Sequence, residues 1–98
     1  MKKIDFRKDD KIYIYPIISS KHNSYNYVLH IINFIENVKF RKYNINTKIL
    51  EPKNSKNILN QFNILSFPTF IINKNQEYIV YNGTNINELE KKLNYLLN

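Results

Sequence analysis

Cysteine is absent from this chain of 98 residues. That excludes disulfides, thiolate metal ligands, a thiol nucleophile and any cysteine redox cycle. Tryptophan and alanine are also absent, glycine occurs once, at Gly83, and proline three times, at Pro16, Pro52 and Pro68. The two histidines, His22 and His30, stand eight residues apart with no thiolate to join them, so no metal site is expected. Apolar runs are only a few residues long, so no segment reads as a membrane span. The opening "MKKIDFRKDDK" has charges but no apolar stretch behind them, unlike a secretory signal. These absences lead to the expectation of a cytoplasmic or otherwise intracellular protein without cofactor, metal or membrane partner.

What the chain does contain is enough for one core. Hydrophobic residues make up 43% and include eight Tyr and six Phe, which suffices for a single small domain and not for two. We expect a polar lead-in over residues 1–10 and one domain over 11–98. The formal charge of +7 is uneven: residues 1–56 hold twelve Lys or Arg against five Asp or Glu, whereas residues 57–98 hold three of each. A one-sided basic surface can attract nucleic acid or acidic partners. The plainer reading is compositional, because 17 Asn, 16 Ile and 13 Lys fit A/T-rich coding, in which lysine collects on solvated faces.

Periodicity orders the elements. "KIYIYPI" (11–17) points Ile12 and Ile14 one way and Tyr13 and Tyr15 the other, the pattern of a central strand covered on both faces. After the polar "ISSKHN", Val28, Ile31, Ile32 and Ile35 recur at helical spacing and give a helix to about Asn37 with His30 on its solvated face. "VKFRKYNI" (38–45) alternates and carries Lys39, Arg41 and Lys42, which suggests a strand near a sheet edge. A short helix over about 55–63 is expected to bury Ile58, Leu59 and Phe62. "TFII" (69–72) and "EYIVY" (77–81) read as a hairpin joined by "NKNQ", whose asparagines tolerate positive φ. Gly83 suits a position needing free φ. Asn85 as N-cap with Glu88 three residues on opens a last helix. That helix buries Ile86, Leu89, Leu93 and Leu96, with a Glu88–Lys92 pair on its surface.

Pro68 is the anomaly, because proline gives no N–H to a sheet and is seldom found where a central strand begins. In the order β-α-β-α-β-β-α, the segment "FNILSFPTFIINKNQEYIVYNGTNINELEKKL" resembles the C-terminal half of thioredoxins and of protein disulfide isomerase domains. The resemblance is carried by Phe62, Ile64, Phe67, Pro68, Thr69, the hairpin, Gly83 and the helix from Asn85, and order and length match over residues 11–97. It implies an α/β thioredoxin-like fold, with a four-stranded mixed sheet flanked by helices. It further implies a cis proline whose turn pairs with extended peptide, so Ser66, Phe67, Pro68 and Thr69 become candidate groove residues.

The same resemblance requires Cys-x-x-Cys at the start of the first helix, where the helix N-terminus favours a thiolate. That place is held by Ser20, Lys21, His22 and Asn23, or starts at Ser19 if the loop differs by one. Thiol–disulfide exchange, deglutathionylation and cysteine peroxidase chemistry are therefore not carried over. The family's Trp before the motif, its buried carboxylate in the first strand and its extra N-terminal strand and helix have no counterpart either. A Ser20–His22 hydrolytic pair would need a base in reach, an orienting group and an oxyanion hole, and no acid lies nearby in sequence. Two modest readings of the loop stand: an anion site using Ser19, Ser20, Lys21 and His22, or a hydroxyl-rich cap from Ser20 or Asn23. The expectation is thus a non-enzymatic, redox-inactive module that binds a polypeptide. The alternatives are a nucleic-acid-binding component using Lys39, Arg41, Lys42 and the lead-in's Lys2, Lys3, Arg7 and Lys8, or a structural subunit of an assembly.

Overall fold

The computed structural model describes residues 11–97, so the lead-in with Lys2, Lys3, Arg7 and Lys8 lies outside the described residues. Seven elements follow: β1 (Lys11–Ile17), α1 (Tyr25–Phe34), β2 (Asn44–Thr47), α2 (Lys56–Gln61), β3 (Thr69–Lys74), β4 (Glu77–Asn82) and α3 (Ile86–Leu97). The strand order is β2-β1-β3-β4. β1 runs parallel to β2 and antiparallel to β3, and β3 and β4 form an antiparallel hairpin.

Strand alternation sorts side chains onto two faces, because successive Cβ atoms point opposite ways. Ile12 and Ile14 of β1 join Phe70 and Ile72 of β3 in the larger core, closed by Val28, Ile31 and Ile35 of α1's stripe and Leu89, Leu93 and Leu96 of α3. On the other face Ile17, Ile64 and Ile71 form a smaller core. Ile58, Leu59 and Phe62, expected to be buried, are half-buried against it. His30 is exposed.

The second strand differs from expectation. Residues 38–43 are not strand; β2 starts at Asn44 and is four residues long. α1 instead runs into a π turn, Ile35–Lys39, closed by the Phe40 N–H donating to the Ile35 carbonyl at 2.9 Å. The extra residue in that turn shifts the helical phase. Phe40 takes the buried slot four residues of ordinary helix would have given Lys39, and it joins the larger core. Lys39 is left outside, 3.6 Å from Glu90 of α3. Alternation in "VKFRKYNI" was thus produced by a helix end and a turn.

β2 is short because β1 contains Pro16. Lys48 N–H donates to the Ile14 carbonyl and Leu50 N–H to the Pro16 carbonyl, while Ile18 N–H donates to Leu50. The donor due between them, at position 16, does not exist, so the ladder lapses after Thr47 and returns as one bridge at Leu50.

The hairpin turns on Asn75 and Gln76, tighter than "NKNQ" implied, with Asn75 at φ 58°. Asn73 Nδ2 donates to the Asn75 and Glu77 carbonyls, both at 3.0 Å, and ties the turn. Asn85 Oδ1 accepts from Asn87 N–H at 2.9 Å and Glu88 N–H at 3.2 Å, capping α3. Glu88 meets Lys91 at 3.4 Å, three residues on, and not the Lys92 expected.

Gly83 links β4 to α3 at φ 140°. A Cβ there would stand 2.7 Å from Tyr81 Oη, the same hydroxyl that accepts the Asn85 N–H. Gly83→Ala should therefore destabilise the protein by about 1–3 kcal/mol through backbone strain and this contact. Urea denaturation measures it, and an unchanged midpoint would contradict this account of the turn.

Candidate functional site

The turn before β3 is built from the end of α2. Asn63, at φ 54°, stops the helix. Ile64 N–H donates to the Leu59 carbonyl at 2.9 Å and Asn63 N–H to the Asn60 carbonyl at 3.3 Å. This is a Schellman ending with asparagine in the left-handed position, and its apolar contact is Leu59 with Ile64 in the smaller core. The chain then leaves the surface of that core: Leu65 is 93% exposed. The Phe67–Pro68 peptide bond is cis, Pro68 and Thr69 are buried, and the Phe67 ring is half-buried against Ile17, Ile64 and Ile71.

Asn82, at the end of β4, holds this turn. Its Nδ2 lies 3.1 Å from the Ser66 carbonyl, 3.2 Å from the Pro68 carbonyl and 2.8 Å from Thr69 Oγ1. Thr69 Oγ1 in turn donates to the Ser66 carbonyl at 2.7 Å, and Gly83 N–H donates to the Pro68 carbonyl at 3.1 Å. The carbonyls on both sides of Phe67 are thus satisfied from within. Among the described residues, the N–H and C=O of Phe67 itself have no hydrogen-bond partner. An open hollow of about 230 Å³ lies beside the turn, lined in part by Phe62, Leu65, Ser66, Val80 and Asn82.

The β1–β3 register brings the other candidate segment to the same end of the sheet. Ile17 is opposite Thr69, so the loop carrying Ser19, Ser20, Lys21, His22 and Asn23 starts beside Pro68. That loop is closed on itself. Ser19 Oγ accepts Lys21 N–H at 3.2 Å, and the Ser19 carbonyl accepts His22 N–H at 3.0 Å. His22 Nδ1 accepts Ser24 N–H at 3.0 Å, and Glu51 Oε2 accepts Ser20 N–H at 3.2 Å. Neither Ser20 nor Asn23 caps α1; Ser24 occupies the N-cap position without a side-chain cap bond. Instead His22, two residues before Ser24, accepts the N–H of the N-cap residue through its imidazole. The backbone donors of Ser20, Lys21, His22, Ser24 and Tyr25 are engaged within this segment or with Glu51. His22 Nδ1 is committed to Ser24 and not to Ser20.

Lys39, Arg41 and Lys42 are at the opposite end, between α1 and β2, and Lys39 is paired with Glu90. They do not share a surface with the Pro68 turn and do not lie on a strand. Among the described residues no three His, Asp or Glu side chains converge as metal ligands, and no helix is long and apolar enough to cross a membrane. Sequence reasoning missed Asn82, Leu65 and Asn63. For Asn63 a signal existed, an asparagine just past the apolar stripe of α2. For Asn82 there was none, since its partners lie 13 to 16 residues away.

Asn82→Ala should loosen the turn and cost about 1–3 kcal/mol, the range for leaving partly buried acceptors unsatisfied. Thermal unfolding checks this; a variant as stable as the parent would mean the Asn82 bonds are incidental.

No family model and no curated protein sequence matches the chain. Solved structures do. The chain is similar to mitochondrial thioredoxin 3 of Saccharomyces cerevisiae in its oxidised form, at TM-score 0.72 and 14% identity over 92% of this chain and 83% of that one. It is similar to thioredoxin of Trypanosoma brucei brucei at TM-score 0.70 and 19% identity, over 90% and 76%. A designed protein superimposes at TM-score 0.72 and 23% identity, over 89% and 77%. Such identities speak for the fold alone. With the β2-β1-β3-β4 sheet and no cysteine anywhere in the sequence, the chain is a thioredoxin-fold domain without the Cys-x-x-Cys thiols.

Proposed function

We propose that this domain binds polypeptide through the turn at Phe67–Pro68. The absence of any thiol removes thiol–disulfide exchange from consideration, and a binding role is what the remaining architecture suits. The observation that carries the reading is the pair of unpartnered backbone groups on Phe67, flanked by carbonyls that Asn82 and Gly83 already satisfy. A rigid frame around one free N–H and one free C=O suits an extended peptide segment, which offers the complementary pair. Backbone pairing supplies affinity, and side-chain hollows supply choice. Here the hollow is lined by apolar Phe62, Leu65 and Val80 together with the amides of Asn63 and Asn82, which favours a peptide with an apolar residue next to the paired one. Leu65, almost wholly in solvent, gains from being covered.

The loop of Ser19 to Asn23 forms the neighbouring wall in this reading. It contributes shape and the Lys21 charge, since its own hydrogen-bonding groups are largely spent locally.

The test is an immobilised-peptide screen followed by titration calorimetry on the best binders. Phe67→Asp should weaken binding at least tenfold, but it also disturbs the smaller core. Leu65→Asp, at an exposed position, should weaken binding several-fold with the melting temperature unchanged. Binders indifferent to both substitutions, or no binder at all, would contradict the reading.

A further inference from the structure

The two faces of the sheet are unlike. One is closed by α1 and α3. On the other, among the described residues, only α2 packs, and it covers the end at Ile17 and Ile71. At the far end the register lines up one row across the strands: Asn46 of β2 opposite Tyr13 of β1, Tyr13 opposite Asn73 of β3, and Asn73 opposite Tyr78 of β4. Tyr13 belongs to neither core cluster. Its ring is parallel to that of Tyr15, within 5°, with centroids 6.3 Å apart. Tyr78 is 54% exposed, with its ring centroid 5.5 Å from that of Phe62, just past the end of α2.

Charge is segregated in the same way. Lys11 and Lys48 border the row, both exposed, and Lys53 and Lys56 stand by α2. Most of the described carboxylates sit on the other layer: Glu36 accepts from Thr47, Glu90 pairs with Lys39, Glu88 with Lys91, and Glu77 shares the α3 side with Lys74. Only Glu51 is near α2, and it accepts the Ser20 N–H.

We propose that this open half of the sheet, around Tyr13 and Tyr78, binds single-stranded RNA. Aromatic rings on β1 and β4, on one face of an open four-stranded sheet, suit the stacking of unpaired bases. Asn44 and Asn46, both exposed, offer amides for base edges and for the 2′-hydroxyl that distinguishes RNA from DNA. Lys11 and Lys48 answer the phosphates. Tyr13 and Tyr78 are two strands apart, about 10 Å. A peptide is less well suited here, because the backbone groups of β1 and β3 are already paired with neighbouring strands. The site is separate from the Phe67–Pro68 turn and from the Lys39, Arg41 and Lys42 set.

Fluorescence anisotropy of the full chain with a short labelled oligo-uridine tests it. Saturable binding that weakens with added salt is expected, with Tyr13→Ala and Tyr78→Ala each reducing affinity about tenfold, as for lost base stacking. Lys48→Glu should also flatten the salt dependence, while Lys39→Glu, on the opposite layer, changes little. Tyr78→Ala keeps the test decisive if Tyr13→Ala unfolds. No binding at low salt overturns the proposal, as does binding untouched by the tyrosine substitutions or equal affinity for oligo-deoxyuridine. So does a second copy on this face, read by sedimentation as a dimer that Tyr78→Ala dissolves. Amide-exchange protection of residues 1–10, with no RNA bound, would assign the face to the chain's own lead-in.

Discussion

Antiparallel pairing between β1 and β3, from Ile12 opposite Lys74 to Ile17 opposite Thr69, sets where the other parts of this molecule lie. It commits Ile12, Ile14, Phe70 and Ile72 to one face, where burial against α1 and α3 stabilises the fold most. A slip of one residue would turn all of them to the other face. The same register ends with Thr69 beside Ile17, so it decides that the Pro68 turn and the loop from Ser19 share one end of the sheet. It also lines up Tyr13 with Asn73 at the other end. Both proposed surfaces are consequences of one strand pairing.

The two prolines next to this pairing act differently. Pro68 stands just outside β3, where a missing N–H costs no ladder bond, and its carbonyl is taken by Gly83 and Asn82. Pro16 lies inside β1, and there the missing donor breaks the ladder to β2. The edge strand is short for that reason. Gly83 sits where β4 turns toward α3, and its N–H holds the Pro68 carbonyl. The chain's single glycine and the proline turn are therefore mechanically joined, with Asn82 between them.

Much of this was legible in the sequence where local chemistry decides. Asn85 caps its helix because a short amide side chain reaches N–H groups two and three residues on. Gly83 needs positive φ, and the stripes of α1 and α3 follow from helical spacing. Elements settled by distant partners were not legible. The alternation of Val38 to Ile45 suggested a strand, but Phe40 fits the core only through a π turn. His22 accepts the Ser24 N–H at the i, i+2 spacing usual for asparagine or serine, but here the acceptor is an imidazole, which residue type alone does not signal. Asn82 depends on partners across the hairpin. That Tyr13 stays outside both cores depends on how little of its face α2 covers; "KIYIYPI" alone reads as covered on both sides.

The central claim is that the unpartnered groups of Phe67 are the point of contact for an extended peptide. Amide hydrogen exchange at Phe67, followed by NMR with and without a saturating peptide, tests it most directly. The account predicts that the Phe67 N–H exchanges rapidly in the free protein and becomes strongly protected in the complex. A peptide that saturates the protein while leaving the Phe67 amide unprotected would contradict it.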